Sequence, residues 1–237
     1  MDKVEPVKPS QAKPPPALNI PGGVLVFGAA LVMVHTLIAF LNPSRQIEAI
    51  ATFAFVPAAY DWPVEQLYAP FARYWSPVTY GFLHADWTHL GTNLIWLLAF
   101  GSPVAKRFGL VRFGLFLLVA IVAGAGAHWL AYVGDQSPLV GASGAVSGCF
   151  GAAARFAFEP GSFASDERLM RPARSLLAAL TNRVVVTFIV VWLGLNWIAG
   201  SGVLPVAGEG ASIAWEAHVG GFAVGLFLFA LFDPVRK

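Results

Sequence analysis

Gly141-Ala142-Ser143-Gly144-Ala145-Val146-Ser147-Gly148-Cys149-Phe150-Gly151 opens an apolar stretch of helical character, with small residues at Ser143, Ser147 and Gly151. Another apolar stretch holds His218, 75 residues after Ser143. A serine set among glycines and a histidine supply the minimal nucleophile-and-base pair of acyl transfer. Packing alone accounts poorly for both lying in membrane-like sequence.

Composition fixes the solvent around that pair. Of 237 residues, 57% are hydrophobic and 12% charged, with mean hydropathy +0.67. Soluble domains carry about 25% charged residues, so the chain reads as an all-α, polytopic membrane protein. A single cysteine, Cys149, excludes a disulfide framework and a cysteine-rich metal site. The net charge of +2 gives no case for nucleic acid, because the charges are segregated by topology. No cofactor is called for.

Residues 1–21, rich in proline and lysine, read as a disordered cytoplasmic tail. The following apolar run is too long for a signal peptide and lacks a small-x-small cleavage site, which predicts a signal anchor. The membrane domain then covers 22–233, and 234–237 form a short cytoplasmic C-terminal tail.

A spanning helix needs roughly 20 apolar residues. Six stretches read as spans: 22–42, 88–105, 111–133, 140–158, 183–200 and 212–232. The long 43–80 connection carries Trp62, Tyr68, Phe71, Tyr74 and Trp75 among prolines, which suits a segment lying in the membrane interface. With the N-terminus inside, 13 of the 15 basic residues fall on inner segments, leaving Arg45 and Arg73 outside. The positive-inside rule thus predicts six spans with both termini cytoplasmic.

Depth follows from this topology. Ser143 lies 16 residues before Glu159, His218 lies 15 before Asp233, and His89 lies 17 before Lys106. At 1.5 Å per residue these intervals are about 22–26 Å, in a hydrocarbon core about 30 Å thick. Three polar residues on three helices therefore reach a similar height. His89 and Asn93 share one helical face, with His84 about a turn above. His218, Gly221 and Gly225 form a second small-residue stripe facing the one through Ser143. Close helix approach would let the Ser143 hydroxyl and the His218 imidazole hydrogen-bond.

Taken singly, Ser143 and Asn93 read as packing residues, and the glycine stripes are packing features. His35 and His128 have no polar partner at matching spacing and read as structural. The joint pattern marks a site, since ionisable groups at this depth are functional by default. Competing chemistries lack their residues. Gly141 to Ala145 does not fit G-x-S-x-G, there is no His-Glu-x-x-His, and no aspartate lies in the middle of a span.

His89-x-x-x-Asn93, Gly141-x-Ser143-Gly144 and Ala217-His218 followed by Gly221 and Gly225 together resemble the rhomboid family of intramembrane serine proteases. The stretch from Gly101 to Gly109 also resembles that family's tight glycine-bounded loop. The likeness covers about residues 70–233 and resembles the basic six-helix prokaryotic type. It implies that Ser143 is the nucleophile and His218 the general base and later acid. It further implies an oxyanion hole of His89, Asn93 and the Ser143 backbone N–H, next to Gly141. No carboxylate is evident as a third member, so the pair would be a dyad whose imidazole is oriented by packing.

Two positions depart from the family pattern. Ser147 stands where an aromatic residue often packs on the histidine, and Trp215 is the candidate to supply that surface. Glu216 adds a charge near the site. The glycine-rich 200–211 connection reads as a lid. Expected partners are transmembrane protein substrates and the lipid bilayer, with cleavage near the outer end of a weakened substrate helix. The expected location is a bacterial plasma membrane. The alternative is a non-catalytic rhomboid-like protein that binds client helices.

Overall fold

In the computed structural model of the chain, residues 19–67, 69–158, 166–201 and 213–235 are described. The expected N-terminal tail before residue 19, Tyr68 and most of the 200–211 connection expected to act as a lid lie outside the described residues. Helix α1 runs Gly22–Ala39, α2 Pro43–Phe53, α3 Trp87–Trp96, α4 Ser102–Ala131, α5 Ser143–Ala153, α6 Arg183–Gly200 and α7 Trp215–Phe227. Among the described residues, three helical runs are long and apolar enough to cross a membrane: Gly22–Ala39, Trp87–Ala131 and Arg183–Gly200. The second of these absorbs two of the six apolar stretches. Helices α5 and α7, with 11 and 13 residues, are too short to qualify alone.

Local chemistry sets the boundaries. Asn42 caps α2 by accepting from the Arg45 N–H at 3.0 Å, with Pro43 in the first turn. Asp86 caps α3 through the His89 N–H at 2.8 Å, and Asn182 caps α6 through the Val185 N–H at 3.1 Å. The loop expected between Gly101 and Gly109 is helical instead, because Val104, Ala105 and Phe108 are buried in the core. The chain continues from α3 through a π-type turn, Leu97–Gly101, and breaks at Gly109, whose φ is 73°. Only glycine takes that backbone at little cost.

Helices α4, α5 and α7 form the centre, and the α5–α7 contact is backbone against backbone. A Cβ on Gly221 would stand 1.9 Å from the Gly144 carbonyl oxygen, and one on Gly225 would stand 1.9 Å from that of Gly148. The pairings 144 with 221 and 148 with 225 ascend together, so the two helices run parallel. The contacting stripe on α5 is therefore Gly144 and Gly148, one residue on from the expected Ser143 and Ser147. Gly151 does belong to it, meeting the Phe222 carbonyl.

The 43–82 segment is pinned to the α4–α5 connection. Phe55 and Leu139 form a two-bond antiparallel bridge at 3.1 and 2.8 Å. Thr79 Oγ1 and Trp75 Nε1 donate to the carbonyls of Phe53 and Thr52. The Tyr60 phenol donates to the Arg73 carbonyl at 2.7 Å, and burial holds its pKa above the ordinary value. Phe71 and Tyr74 stay exposed, as an interfacial segment requires.

Arg107, read from sequence as a charge in an inner loop, is buried instead. Its Nε and Nη2 donate to Asp233 Oδ1 and Oδ2, each at 2.8 Å, and Nη1 reaches the Leu169 and Arg171 carbonyls. The rings of Phe156 and Phe229 lie 4.8 and 5.5 Å from its guanidinium carbon. The pair joins α4 to the end of the chain. Asp233→Ala leaves this cation buried without its counter-charge, so unfolding in detergent should become easier by about 3–5 kcal/mol. A thermal or denaturant unfolding curve checks it.

Candidate active site

Helix α5 begins at Ser143 without a side-chain cap, and its first intrahelical bond is Val146 N–H to the Ala142 carbonyl. The N–H groups of its first turn are thus left for other acceptors. The approach to the helix is fixed by the Gly141 N–H, which donates to the Tyr80 carbonyl at 3.0 Å, and by Gly141 itself at φ 126°. A Cβ on Gly141 would stand 2.8 Å from Nε2 and Cε1 of His89, and 3.7 Å from Ser143 Oγ. Glycine is required there twice, by its backbone angle and by the imidazole beside it. The Ser143 hydroxyl and the His89 ring therefore border one small space.

From residue 141 to 157 every residue is buried except Ser143. That is the opening a reacting hydroxyl needs. Across the contact, the position of a Cβ on Gly144 is 3.5 Å from the Ala217 carbonyl oxygen, directly before His218. Ser143 and His218 thus flank the same α5–α7 crossing. Among the described residues, however, Ser143 and His218 are not hydrogen-bonded to each other. A nucleophile–base hydrogen bond often tightens only in the substrate complex.

The His218 ring is held from α6. Its Nδ1 bonds Asn196 Oδ1, a contact sequence reasoning missed. The signal was present: Asn196 is the lone amide in the apolar run from Val184 to Gly200. Orientation by packing is thereby corrected to orientation by an amide. Trp215 does not supply a surface for the ring. It packs on Gly200, where a Cβ would lie 2.4 Å from its indole. Glu216 is turned to α4, accepting from the Tyr132 hydroxyl at 2.9 Å, since residues two apart on a helix face different sides.

His89 and Asn93 share a face of α3 as expected, and Asn93 is buried, donating from Nδ2 to the His89 carbonyl at 3.0 Å. His84 stacks edge-on to His89 with ring centroids 5.1 Å apart, and its Nε2 accepts from the Ala142 N–H at 3.4 Å. His35 is less isolated than its sequence suggested. It lies 6.3 Å from His84 and 4.5 Å from Trp87, ring to ring. His128 likewise has a neighbour, Tyr132, at 4.8 Å. One helical turn brings those two together.

This helical bundle matches a rhomboid domain over residues 72–234. The chain belongs to the rhomboid family and is a multi-pass helical membrane protein. It is 30% identical over 177 residues to rhomboid protease GlpG of Serratia proteamaculans (strain 568), covering 75% of this chain and 54% of that protein. It is 40% identical over 86 residues to Rhomboid-like protein 11, chloroplastic, of Arabidopsis thaliana, covering 35% of this chain and 30% of that one. With Rhomboid-related protein 3 of Homo sapiens it shares 39% over 75 residues, 32% and 18% of the two chains. The chain spans about half the length, or less, of these curated relatives.

Proposed function

We propose that the chain is an intramembrane serine endopeptidase hydrolysing peptide bonds in or next to transmembrane helices of membrane-protein substrates. Ser143 Oγ attacks the scissile carbonyl, and His218 takes the hydroxyl proton and returns it to the leaving amine. His89, Asn93 and the uncapped N–H of Ser143, beside Gly141, surround the developing oxyanion. Such a donor contributes about 3–4 kcal/mol to the transition state. In this reading the chain crosses a bacterial inner membrane six times with both termini cytoplasmic, an orientation that the bias of its lysines and arginines supports. The observation that carries this reading is Ser143 itself, unburied in an otherwise sealed segment and bordering the space lined by His89. Homology to the rhomboid protease of Serratia points the same way.

A fluorophosphonate probe on the purified protein tests the pair. Labelling should map to Ser143 and vanish in His218→Ala, because the alcohol is a weak nucleophile without its base. Labelling of equal strength in that variant refutes the dyad and leaves the client-binding alternative.

A further inference from the structure

Resting on that reading, we propose that Asn196 is the positioning residue of the site: it fixes the His218 tautomer that leaves Nε2 free to act as the base. The amide's orientation is set from its own helix. Asn196 Nδ2 donates to the Trp192 carbonyl at 2.8 Å, so Oδ1 is the atom turned to the ring. A carbonyl-type oxygen only accepts, so the ring nitrogen facing it carries the proton. A neutral imidazole protonated at Nδ1 holds its lone pair on Nε2. The other tautomer would bring two lone pairs face to face.

The amide is anchored by packing although most of α6 is not. Val185 is the buried residue along it, and the apolar side chains of Val190, Val191 and Leu195 face outward. One turn before Asn196, Trp192 stacks on both Phe150 of α5 and Phe222 of α7, at 5.4 and 4.8 Å with rings near parallel. The aromatic stack thus fastens the amide to the two helices bearing Ser143 and His218. A buried aspartate does this work in a serine triad and also stabilises the imidazolium. The neutral amide supplies the orientation without the charge.

The test uses the full chain in detergent, labelled with 15N-histidine. In Asn196→Leu the His218 signals should shift toward the Nε2-protonated tautomer, and kcat should fall about 10–100-fold, by analogy with the partners that orient metal-bound histidines, with KM unchanged. Asn196→Asp loses the donor to the Trp192 carbonyl but still offers the ring only oxygen acceptors, and should restore the native tautomer and part of kcat. Asn196→Ala carries the same expectation as Asn196→Leu should the latter fold poorly. Native tautomer and native kcat in both apolar variants would overturn the proposal, as would failure of Asn196→Asp to restore the tautomer. The tautomer is read without substrate. An endopeptidase assay that survives Ser143→Ala would instead overturn the functional reading and leave this measurement standing.

Discussion

Ser143→Ala should reduce cleavage of a tagged single-span substrate to background, a loss of about 10⁶-fold by comparison with other serine nucleophiles, with folding unchanged. The second half of that expectation follows from the structure. Among the described residues the Ser143 hydroxyl makes no hydrogen bond and caps no helix, and alanine is itself a good helix former. Nothing but the nucleophile is removed. His218→Ala should cost about as much, and the double variant no more than either single one, because nucleophile and base act as a unit. Immunoblotting for the released fragment alongside a melting curve separates chemistry from stability. Cleavage at the native rate in well-folded Ser143→Ala would end the assignment.

What the sequence made legible was periodicity and local capping. The 183–200 stretch coincides with α6, and the His89–Asn93 face survives intact because Asp86 starts that helix at a fixed register. What stayed hidden was rotation and long-range pairing. Serines at 143 and 147 and glycines at 144 and 148 offer two adjacent stripes of the same period, and spacing cannot say which one meets α7. The fourth stretch, read to residue 158, ends as a helix at Ala153. Beyond it Arg155 turns to donate to the carbonyls of Leu226 and Arg174. Arg107 enters the sequence reading only as one of the inner basic residues, because its partner Asp233 is 126 residues away. Asn196 and His218, 22 residues apart on different helices, share no periodicity that would reveal the bond.

Gly221→Ala should cut activity about 10²-fold and lower the melting temperature, although it adds one methyl group. That carbon would arrive 1.9 Å from the Gly144 carbonyl oxygen, 2.6 Å from its carbon and 3.0 Å from its Cα. All three are backbone atoms of a packed helix, so no rotamer change relieves the clash. The helices must separate by more than an ångström along the axis that sets the distance between Ser143 and His218. A misplacement of about 1 Å in a reacting pair can cost 10²-fold in rate, and overpacking adds about 1–3 kcal/mol of instability. Gly225→Ala meets the same obstacle at the Gly148 carbonyl and should behave alike. Gly114 supplies the internal control, since a Cβ there meets nothing within 4 Å. As a helix-interior glycine, its replacement by alanine should gain up to about 1 kcal/mol and leave activity intact. Should Gly221→Ala match Gly114→Ala in both melting temperature and cleavage rate, the backbone contact would not be what holds the two reactive groups together.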